Sequence, residues 1–321
     1  MPSFGTEQVD FGGVDFHLEQ TFLNRLEFSM ADKYRDLIIT AASESYSRQL
    51  LSFLGSLRCN WPGHPPVMVY DLGLGETTLH ILHKAGFNVR AVPPFVEHWR
   101  KHFTWKPWCM NDAPAERVLY MDSGCCILRP VPEIFEIASE LGYFAVPNYR
   151  PLEIEASEDA CEGCGVAQEF RVGKVSLAAT LFGFSRGSAV ERVVQEFLRV
   201  ASTERYIMAS KPWHRHDQSI LSLLMYREVS PLILCDGTIY LYRDLAAKFT
   251  TNKIWSARRS MHYKDKRFFA SCLEGPVSPH LPQPSHKLTL WYQSAWRAKL
   301  AIDALKRMMI GRHKVPFDGV R

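Results

Sequence analysis

Apolar and polar positions alternate between strand and helix periods along the first half of the chain. Residues 36–41 form an apolar run that predicts a buried strand. A helix is expected to follow and to reach about Arg58, with Ser43 or Ser45 as its N-cap. The positions that fall on one face of this helix are Leu50, Leu51, Leu54 and Leu57.

The same alternation continues to residue 92. Residues 67–70 predict a second strand that ends on Asp71, and residues 77–85 predict a helix that stops at Gly86. Residues 89–92 predict a third strand. This β-α-β-α-β order favours a parallel sheet with right-handed crossovers, as in nucleotide-binding α/β domains.

The pattern is less regular after residue 122. A polar, acidic stretch at 149–173 has no clear period, and we expect a mobile or substrate-covering loop there. The other elements predicted in this half are a helix at 131–141, a strand at 143–146, a strand at 175–184, a helix at 189–201 and a helix at 217–226.

The segment 117–128 carries the clearest chemical signal. A strand-like run leads into Asp122, then Ser123 and Gly124, and a second short apolar run follows. A strand that delivers a carboxylate at its carboxyl end places the charge in the crevice where open α/β sheets bind ligands. Gly124 allows a sharp turn or the close approach of a ligand, because glycine has no Cβ.

Composition excludes few classes. In 321 residues, 46% are hydrophobic and 22% are charged, which is typical of a soluble globular protein. A net charge of +4, with no concentrated basic and aromatic patch, predicts no nucleic-acid partner. Residues 1–20 show no secretory signal, and we expect a cytoplasmic protein with eight reduced cysteines. Cys161 and Cys164 form a C-x-x-C pair that is either a zinc or redox site or two incidental thiols.

Four motifs occur in order along the chain: Tyr70-Asp71-Leu72-Gly73-Leu74, Trp105-Lys106-Pro107, Asp122-Ser123-Gly124 and His214-Arg215-His216-Asp217-Gln218-Ser219. With these motifs the chain resembles nucleotide-sugar glycosyltransferases of the GT-A fold, most closely the glycogenin-like family 8 branch and a less characterised Asp-x-Gly subgroup. The resemblance covers roughly residues 36–265 and implies a Rossmann-like, mixed, mainly parallel sheet flanked by helices.

The resemblance implies a UDP-sugar-like donor and a glycan or lipid-linked glycan acceptor. Lys106 would approach the donor phosphates, where positive charge is needed as the glycosidic bond breaks. A turn residue at Asp71 and a solvated lysine at position 106 are the structural alternatives. The positions implied in donor binding are Thr40, Ala41, Ser43, Asp71, Lys106, Asp122, Ser123, Gly124 and Arg171.

A metal site is also implied, with Asp122 and His262 as ligands of Mn²⁺ or Mg²⁺. The family's usual motif is Asp-x-Asp, whereas this chain has Gly124 in the second position. The alternative is metal-independent catalysis, in which the phosphates are neutralised by basic residues: Lys106, Arg258, Arg259, Lys264 or Lys266.

The reaction centre is predicted at His216, Asp217 and Gln218, at the start of a helix. In an inverting enzyme the carboxylate would deprotonate the acceptor hydroxyl. In a retaining enzyme the carboxylate or carboxamide would lie beside the donor sugar, and the sequence does not decide between the two. The structural alternative is that Asp217 only caps its helix.

Three segments are predicted: an N-terminal extension at 1–35, a domain at 36–275 that the resemblance implies is GT-A-like, and a C-terminal segment at 276–321 that differs in composition. The last begins as a proline-rich linker and continues as a helix rich in tryptophan, leucine and basic residues. Such a helix either lies on an anionic membrane surface, making the protein peripheral there, or packs on the domain.

Two other functional classes remain open at this stage. A non-catalytic sugar-nucleotide-binding protein of the same fold is one, because the metal motif is incomplete. An unrelated Rossmann-type enzyme is the other, although no G-x-G-x-x-G follows the first strand and no P-loop motif occurs.

Overall fold

The computed structural model describes residues 34–208, 213–241, 251–275 and 278–282. Within these ranges one six-stranded sheet and one two-stranded sheet are present. The strands are β1 Tyr34–Ala42, β2 Val67–Asp71, β3 Asn88–Ala91, β4 Ala115–Met121, β5 Cys126–Ile127, β6 Tyr143–Pro151, β7 Val175–Ser185 and β8 Ile254–Trp255.

The large sheet has the strand order β3-β2-β1-β4-β7-β6. Strands β3, β2, β1 and β4 are parallel neighbours, and β7 runs antiparallel to both β4 and β6. The carboxyl ends of β1, β2 and β4 therefore share one edge of the sheet. This arrangement confirms the predicted fold class, an α/β domain with a mixed, mainly parallel sheet flanked by helices.

Helices cover both faces of the sheet. They are α1 Ser47–Asn60, α2 Glu76–Lys84, α3 Trp105–Asp112, α4 Glu133–Leu141, α5 Leu152–Glu155, α6 Glu158–Gly163, α7 Ala189–Ala201, α8 Glu204–Met208, α9 His216–Glu228, α10 Gly237–Tyr240 and α11 Tyr263–Ser271.

Two hydrophobic cores lie on opposite faces, because successive strand residues point to opposite sides. On β1, Leu37 and Ile39 pack into one core with α3, α7 and α9. Ile38 lies in the other core with α1, α2 and α4. The helices that carry the predicted lysine and the predicted reaction centre thus share one face of the sheet.

Two local expectations are corrected. Neither Ser43 nor Ser45 caps α1; their hydroxyls bond each other at 2.9 Å, and a 3₁₀ turn at Glu44–Tyr46 separates β1 from α1. The region 149–173 contains the end of β6, then α5, α6 and a 3₁₀ turn. It lacks a clear period because it is made of several short elements, and the apolar residues that these bury in the core of the α9 face include Leu152, Ala156, Ala160, Cys161 and Cys164.

The ends of the chain can be described only in part. Residues 1–33 and the predicted basic helix lie outside the described residues. In the predicted linker, His280 exchanges hydrogen bonds with the Asn60 side chain, and its Nε2 lies 2.8 Å from Oδ1 of Asp265. The described part of this linker is therefore fixed to α1 and α11. Within the described ranges no helix is long and apolar enough to cross a membrane.

Candidate active site

A cleft of about 1070 Å³ opens at the carboxyl edge of the sheet. Its walls come from the turns after β1 and β4, the loop before α3, β7 and the start of α9. The lining residues are Ala41, Ala42, Ser43, Tyr46, Leu72, Arg100, His102, Phe103, Trp105, Lys106, Asp122, Ser123, Gly124, Arg150, Ala179, Thr180, Trp213, His214, Arg215, His216, Asp217, Gln218, Arg258 and Arg259.

A buried ammonium stands between two carboxylates in this cleft. The Lys106 side chain is only 3% exposed; its Nζ lies 2.5 Å from Oδ2 of Asp217 and 3.2 Å from Oδ1 of Asp122. Its third partner is the backbone oxygen of Ala179 on β7, at 3.1 Å. The three N–H donors of the Lys106 ammonium thus face three oxygen atoms from different parts of the chain. Through these contacts Lys106 on α3 is joined to the end of β4, to β7 and to the start of α9.

These charges stabilise one another. Burial alone would lower the pKa of Lys106, but Asp122 and Asp217 outweigh it and raise that pKa above its ordinary value. Burial alone would raise the pKa of Asp122, but Lys106, the Tyr120 hydroxyl and Arg258 outweigh it and lower that pKa. The Tyr120 hydroxyl donates to Oδ1 of Asp122 at 2.7 Å. The ammonium and the Asp122 carboxylate are therefore both charged near neutral pH.

The glycine of the Asp-Ser-Gly turn accommodates an arginine. A Cβ at Gly124 would lie 3.1 Å from Cα of Arg258, and the amide of Arg258 donates to the Gly124 oxygen at 2.6 Å. A larger residue would push the Arg258 segment away from Asp122. Gly124 stands where the resembling family has a second carboxylate. At this position the segment that carries Arg258 crosses the turn.

Two further arginines stand near the strand ends. Arg100 lies over the Trp99 ring at 4.5 Å and beside the turn at Gly73, and Arg259 lies over the Tyr46 ring at 5.8 Å. Among the described residues, no carboxylate forms an ion pair within 4.0 Å with the guanidinium of Arg100, Arg258 or Arg259. These three side chains give the cleft positive charge that is available to an anion.

Gln218 is held by a buried glutamate. Its Nε2 donates to Oε2 of Glu155 at 2.7 Å, and the same oxygen accepts from Ser176 at 2.7 Å and from Asn148 at 3.2 Å. Glu155 is 1% exposed and pairs with Arg150 through its other oxygen, at 3.0 Å. The amide nitrogen is thereby fixed, which leaves the carboxamide oxygen to face other groups.

Backbone strain is concentrated at the cleft. Among the described residues, five that are not glycine have positive φ, and four of them line the cleft: His102 at 54°, Phe103 at 62°, His216 at 45° and Arg258 at 48°. Such conformations are unfavourable for side chains with a Cβ, and they tend to occur at functional sites. His216, one of the predicted catalytic residues, also bonds the Ile207 oxygen through Nδ1 at 2.9 Å.

The predicted donor-binding residues are only partly brought together. Ala41, Ser43 and Ser123 line the cleft beside the residues described above, whereas Thr40, Asp71 and Arg171 do not. Thr40 is fully buried. The Asp71 carboxylate accepts from the amides of Gly73 and Leu74, both at 2.6 Å, and Arg171 donates to the Ala156 oxygen at 2.6 Å. These contacts shape the turn after β2 and the segment after α5.

The donor set does not fit a divalent metal. Oδ1 of Asp122 already accepts from Lys106 and Tyr120. His262 does not line the cleft; it caps α11, where its Nδ1 accepts from the Lys264 amide at 3.3 Å. In the part of the chain that the structure describes, no group of three or more His, Cys, Asp or Glu could hold a metal.

Several lining residues were not found from the sequence. Arg100, His102 and Phe103 lie at 93–104, which has neither a helix nor a strand period. Arg150 lies at the start of the irregular region, and its buried partner Glu155 follows it there. A positive charge next to adjacent aromatic residues, as at Trp99-Arg100, was the available signal. The sequence indicates Arg258 and Arg259 only as cations that could neutralise the phosphates in place of a metal.

Comparison with known proteins finds similar solved structures at low sequence identity. No protein-family model matches the chain, and no curated protein matches. Galactosyltransferase LgtC, solved with donor and acceptor sugar analogs, is 16% identical with a TM-score of 0.48, over 75% of this chain and 96% of that one. An active-site mutant of LgtC is 15% identical with a TM-score of 0.46, over 74% of this chain and 95% of that one.

The bifunctional glycosyltransferase WbbM is 14% identical with a TM-score of 0.45, over 76% of this chain and 45% of that one.

Proposed function

We propose that the protein is a glycosyltransferase that takes a sugar from a nucleoside-diphosphate sugar, with UDP-sugars favoured. The observation that carries the proposal is the Asp122–Lys106–Asp217 cluster at the carboxyl edge of the sheet, next to Arg258. It combines a fixed carboxylate pair with available cations in a cleft large enough for a nucleotide sugar. The acceptor is a glycan or a lipid-linked glycan.

The diphosphate is proposed to lie beside Arg100, Arg258 and Arg259. These residues surround the turns after β2, β4 and β1 respectively, so positive charge meets the phosphates near the strand ends. Lys106 is better suited to holding the two carboxylates, since both compete for its charge. Because the donor set does not fit a divalent metal, the arginines are proposed to neutralise the leaving group without one.

During transfer, the bond between the sugar carbon and the phosphate oxygen breaks, and the acceptor hydroxyl oxygen forms a new bond to that carbon. The nucleoside diphosphate leaves with the bonding electrons, and the acceptor loses its proton. Asp217 is proposed to be the carboxylate at the reacting sugar, and Gln218 to accept a sugar hydroxyl through its carboxamide oxygen. In an inverting reaction Asp217 takes the acceptor proton.

The test is release of nucleoside diphosphate from a panel of UDP- and GDP-sugars, with EDTA and with Mn²⁺. Release at equal rates under both conditions is expected, and Asp217→Asn should lower it by about 100-fold or more. Glu196→Gln, at a surface ion pair with Arg199, is the matched control and should keep wild-type turnover.

The outcomes separate the alternatives. Binding of a nucleotide sugar without turnover for any acceptor would favour the non-catalytic binding protein. Turnover that requires Mn²⁺ would favour the metal-dependent mechanism that the family resemblance implies. Absence of binding by UDP and GDP at millimolar concentration would overturn the proposed function.

A further inference from the structure

The positive charge of the cleft lies on two sides of Lys106. Arg100, Arg258 and Arg259 border the turns after β1, β2 and β4. Lys106 contacts Ala179 on β7, and β6 is the next strand of the sheet after β7. We call the part of the cleft toward β6 the far side. On that far side are Arg150, at the end of β6, and Arg215, directly before α9, which packs on β7.

The two arginines on the far side differ in their counter-charges. Arg150 is neutralised by the buried Glu155, with a 3.0 Å contact. Arg215 has its backbone amide fixed by the Glu155 oxygen and the Ser219 hydroxyl, both at 3.1 Å. Within the described ranges no carboxylate forms an ion pair within 4.0 Å with its guanidinium. A half-buried arginine in a cleft, with its backbone fixed and no carboxylate partner there, is suited to an anion from outside.

An exposed aromatic ring lies beside His216, the residue that follows this arginine in the sequence. Phe103 lines the cleft and is 49% exposed, and its ring centroid lies 6.4 Å from that of His216, the residue after Arg215. Two successive residues with positive φ, His102 and Phe103, hold the ring there. An exposed ring that is fixed in a polar cleft offers an apolar surface to one face of a sugar ring.

We infer that the far side of the cleft binds a saccharide that carries a carboxylate or phosphate group, with Arg215 as its counter-charge and Phe103 as its stacking surface. The inference rests on the proposed function, because it takes the strand-end side as the nucleotide side. A neutral saccharide would leave Arg215 partly desolvated without a counter-charge, which is unfavourable. The anionic group belongs either to the acceptor or to the transferred sugar.

Titration calorimetry on the full chain distinguishes these sources. One arm compares methyl β-D-glucuronide with methyl β-D-glucoside in the presence of UDP, and the other compares UDP-glucuronate with UDP-glucose. We expect the acidic probe to bind at least about tenfold more tightly than its neutral match in one arm, which is the strength of one charge-assisted contact. The arm that shows the preference identifies acceptor or donor as the source.

Arg215→Gln should abolish that preference while UDP affinity is kept, and Phe103→Ala should weaken acidic and neutral probes alike. Arg100→Gln is the matched control: it should weaken UDP about tenfold and leave the preference in place. Equal or undetectable binding of acidic and neutral probes in both arms, or a preference that survives Arg215→Gln, would overturn the inference. In each of these cases normal UDP binding by the wild-type chain, weakened in Arg100→Gln, leaves the proposed function standing.

Discussion

Nζ of Lys106 lies 2.5 Å from Oδ2 of Asp217, although the two residues are 111 positions apart in the sequence. The contact joins the start of α3 to the start of α9 beside Ala179 of β7. Its ammonium also meets Asp122, so one lysine balances the carboxylates of two separate motifs. The positions of Asp122 and Asp217 in the cleft therefore depend on the Lys106 ammonium.

Lys106→Met should destabilise the fold, because it leaves two carboxylates facing each other without a buried counter-charge. Breaking a buried ion pair by removing one partner costs about 3–5 kcal/mol. Urea unfolding measures the loss of unfolding free energy. The double variant with Asp217→Asn should recover part of it, whereas a loss below about 1 kcal/mol in Lys106→Met would contradict the central role of the ammonium.

Asp122→Asn and Asp217→Asn should affect different steps. Asp122 lies next to Arg258 and the proposed diphosphate, so its variant should weaken nucleotide-sugar binding and with it activity. Asp217 is proposed to face the reacting sugar, so its variant should keep donor affinity and lose turnover. Calorimetry with UDP-sugar and a product-release assay measure the two effects. Near-wild-type turnover in Asp217→Asn would reduce this residue to a structural partner of Lys106.

The sequence predicted the sheet well because strand and helix periods are local properties. The run at 36–41 and the step from 117–121 to Asp122 give β1, β4 and the carboxylate at its end. The antiparallel insertion of β7 between β4 and β6 depends on pairing between distant segments, which periodicity does not contain.

The site was harder to predict, because its partners come together only in three dimensions. Lys106 was identified, but its two carboxylates could not be assigned to it from sequence spacing. The sequence predicts a sharp turn or a close approach at Gly124, where the resembling family has a second carboxylate, but only the structure shows that the group approaching it is Arg258. Glu155, which holds Gln218, lies in a region whose short helices have no detectable period.

Gly55→Ala should force α1 and α11 apart. A Cβ at Gly55 on α1 would lie 1.7 Å from the backbone oxygen of Phe269 on α11, so the backbones must move apart. Overpacking of this kind costs about 1–3 kcal/mol. Thermal unfolding should show the loss, and Gly63→Ala, where a Cβ meets nothing within 4 Å, is the control. Equal unfolding temperatures for the two variants would contradict the close helix contact.

The basic segment at 287–314 lies outside the described residues, and its attachment to an anionic membrane remains a prediction. Each basic residue near such a surface contributes about 1 kcal/mol, so replacing three with glutamine should weaken binding roughly 100-fold. Co-sedimentation with anionic liposomes at low salt measures this for Lys299, Lys306 and Arg307. Matched replacement of the exposed residues Lys84, Lys101 and Arg192 is the control. A full chain that stays in the supernatant would favour a helix packed on the domain.

The fold should become less stable in mild acid, because the buried His214 side chain resists protonation. Burial first, and then the charge of His216, lowers the pKa of His214 to about 4. Its side chain bonds the Ile207 oxygen at 3.1 Å in a site where a proton is unfavourable. The unfolded chain binds that proton at about pH 6.5, so the contribution is fully present above pH 6.5 and is lost as the pH falls toward 4.

The expected loss over this interval is about 3 kcal/mol, from roughly 2.5 pKa units at 1.36 kcal/mol each. Urea unfolding at a series of pH values between 4 and 7 measures the slope of unfolding free energy against pH. His214→Asn removes the titrating group and should flatten the slope, because neither state then takes up a proton at this position. His80→Asn removes an exposed imidazole on α2 and is the control for loss of one histidine. If both variants keep the wild-type slope, the acid sensitivity has its origin elsewhere in the chain.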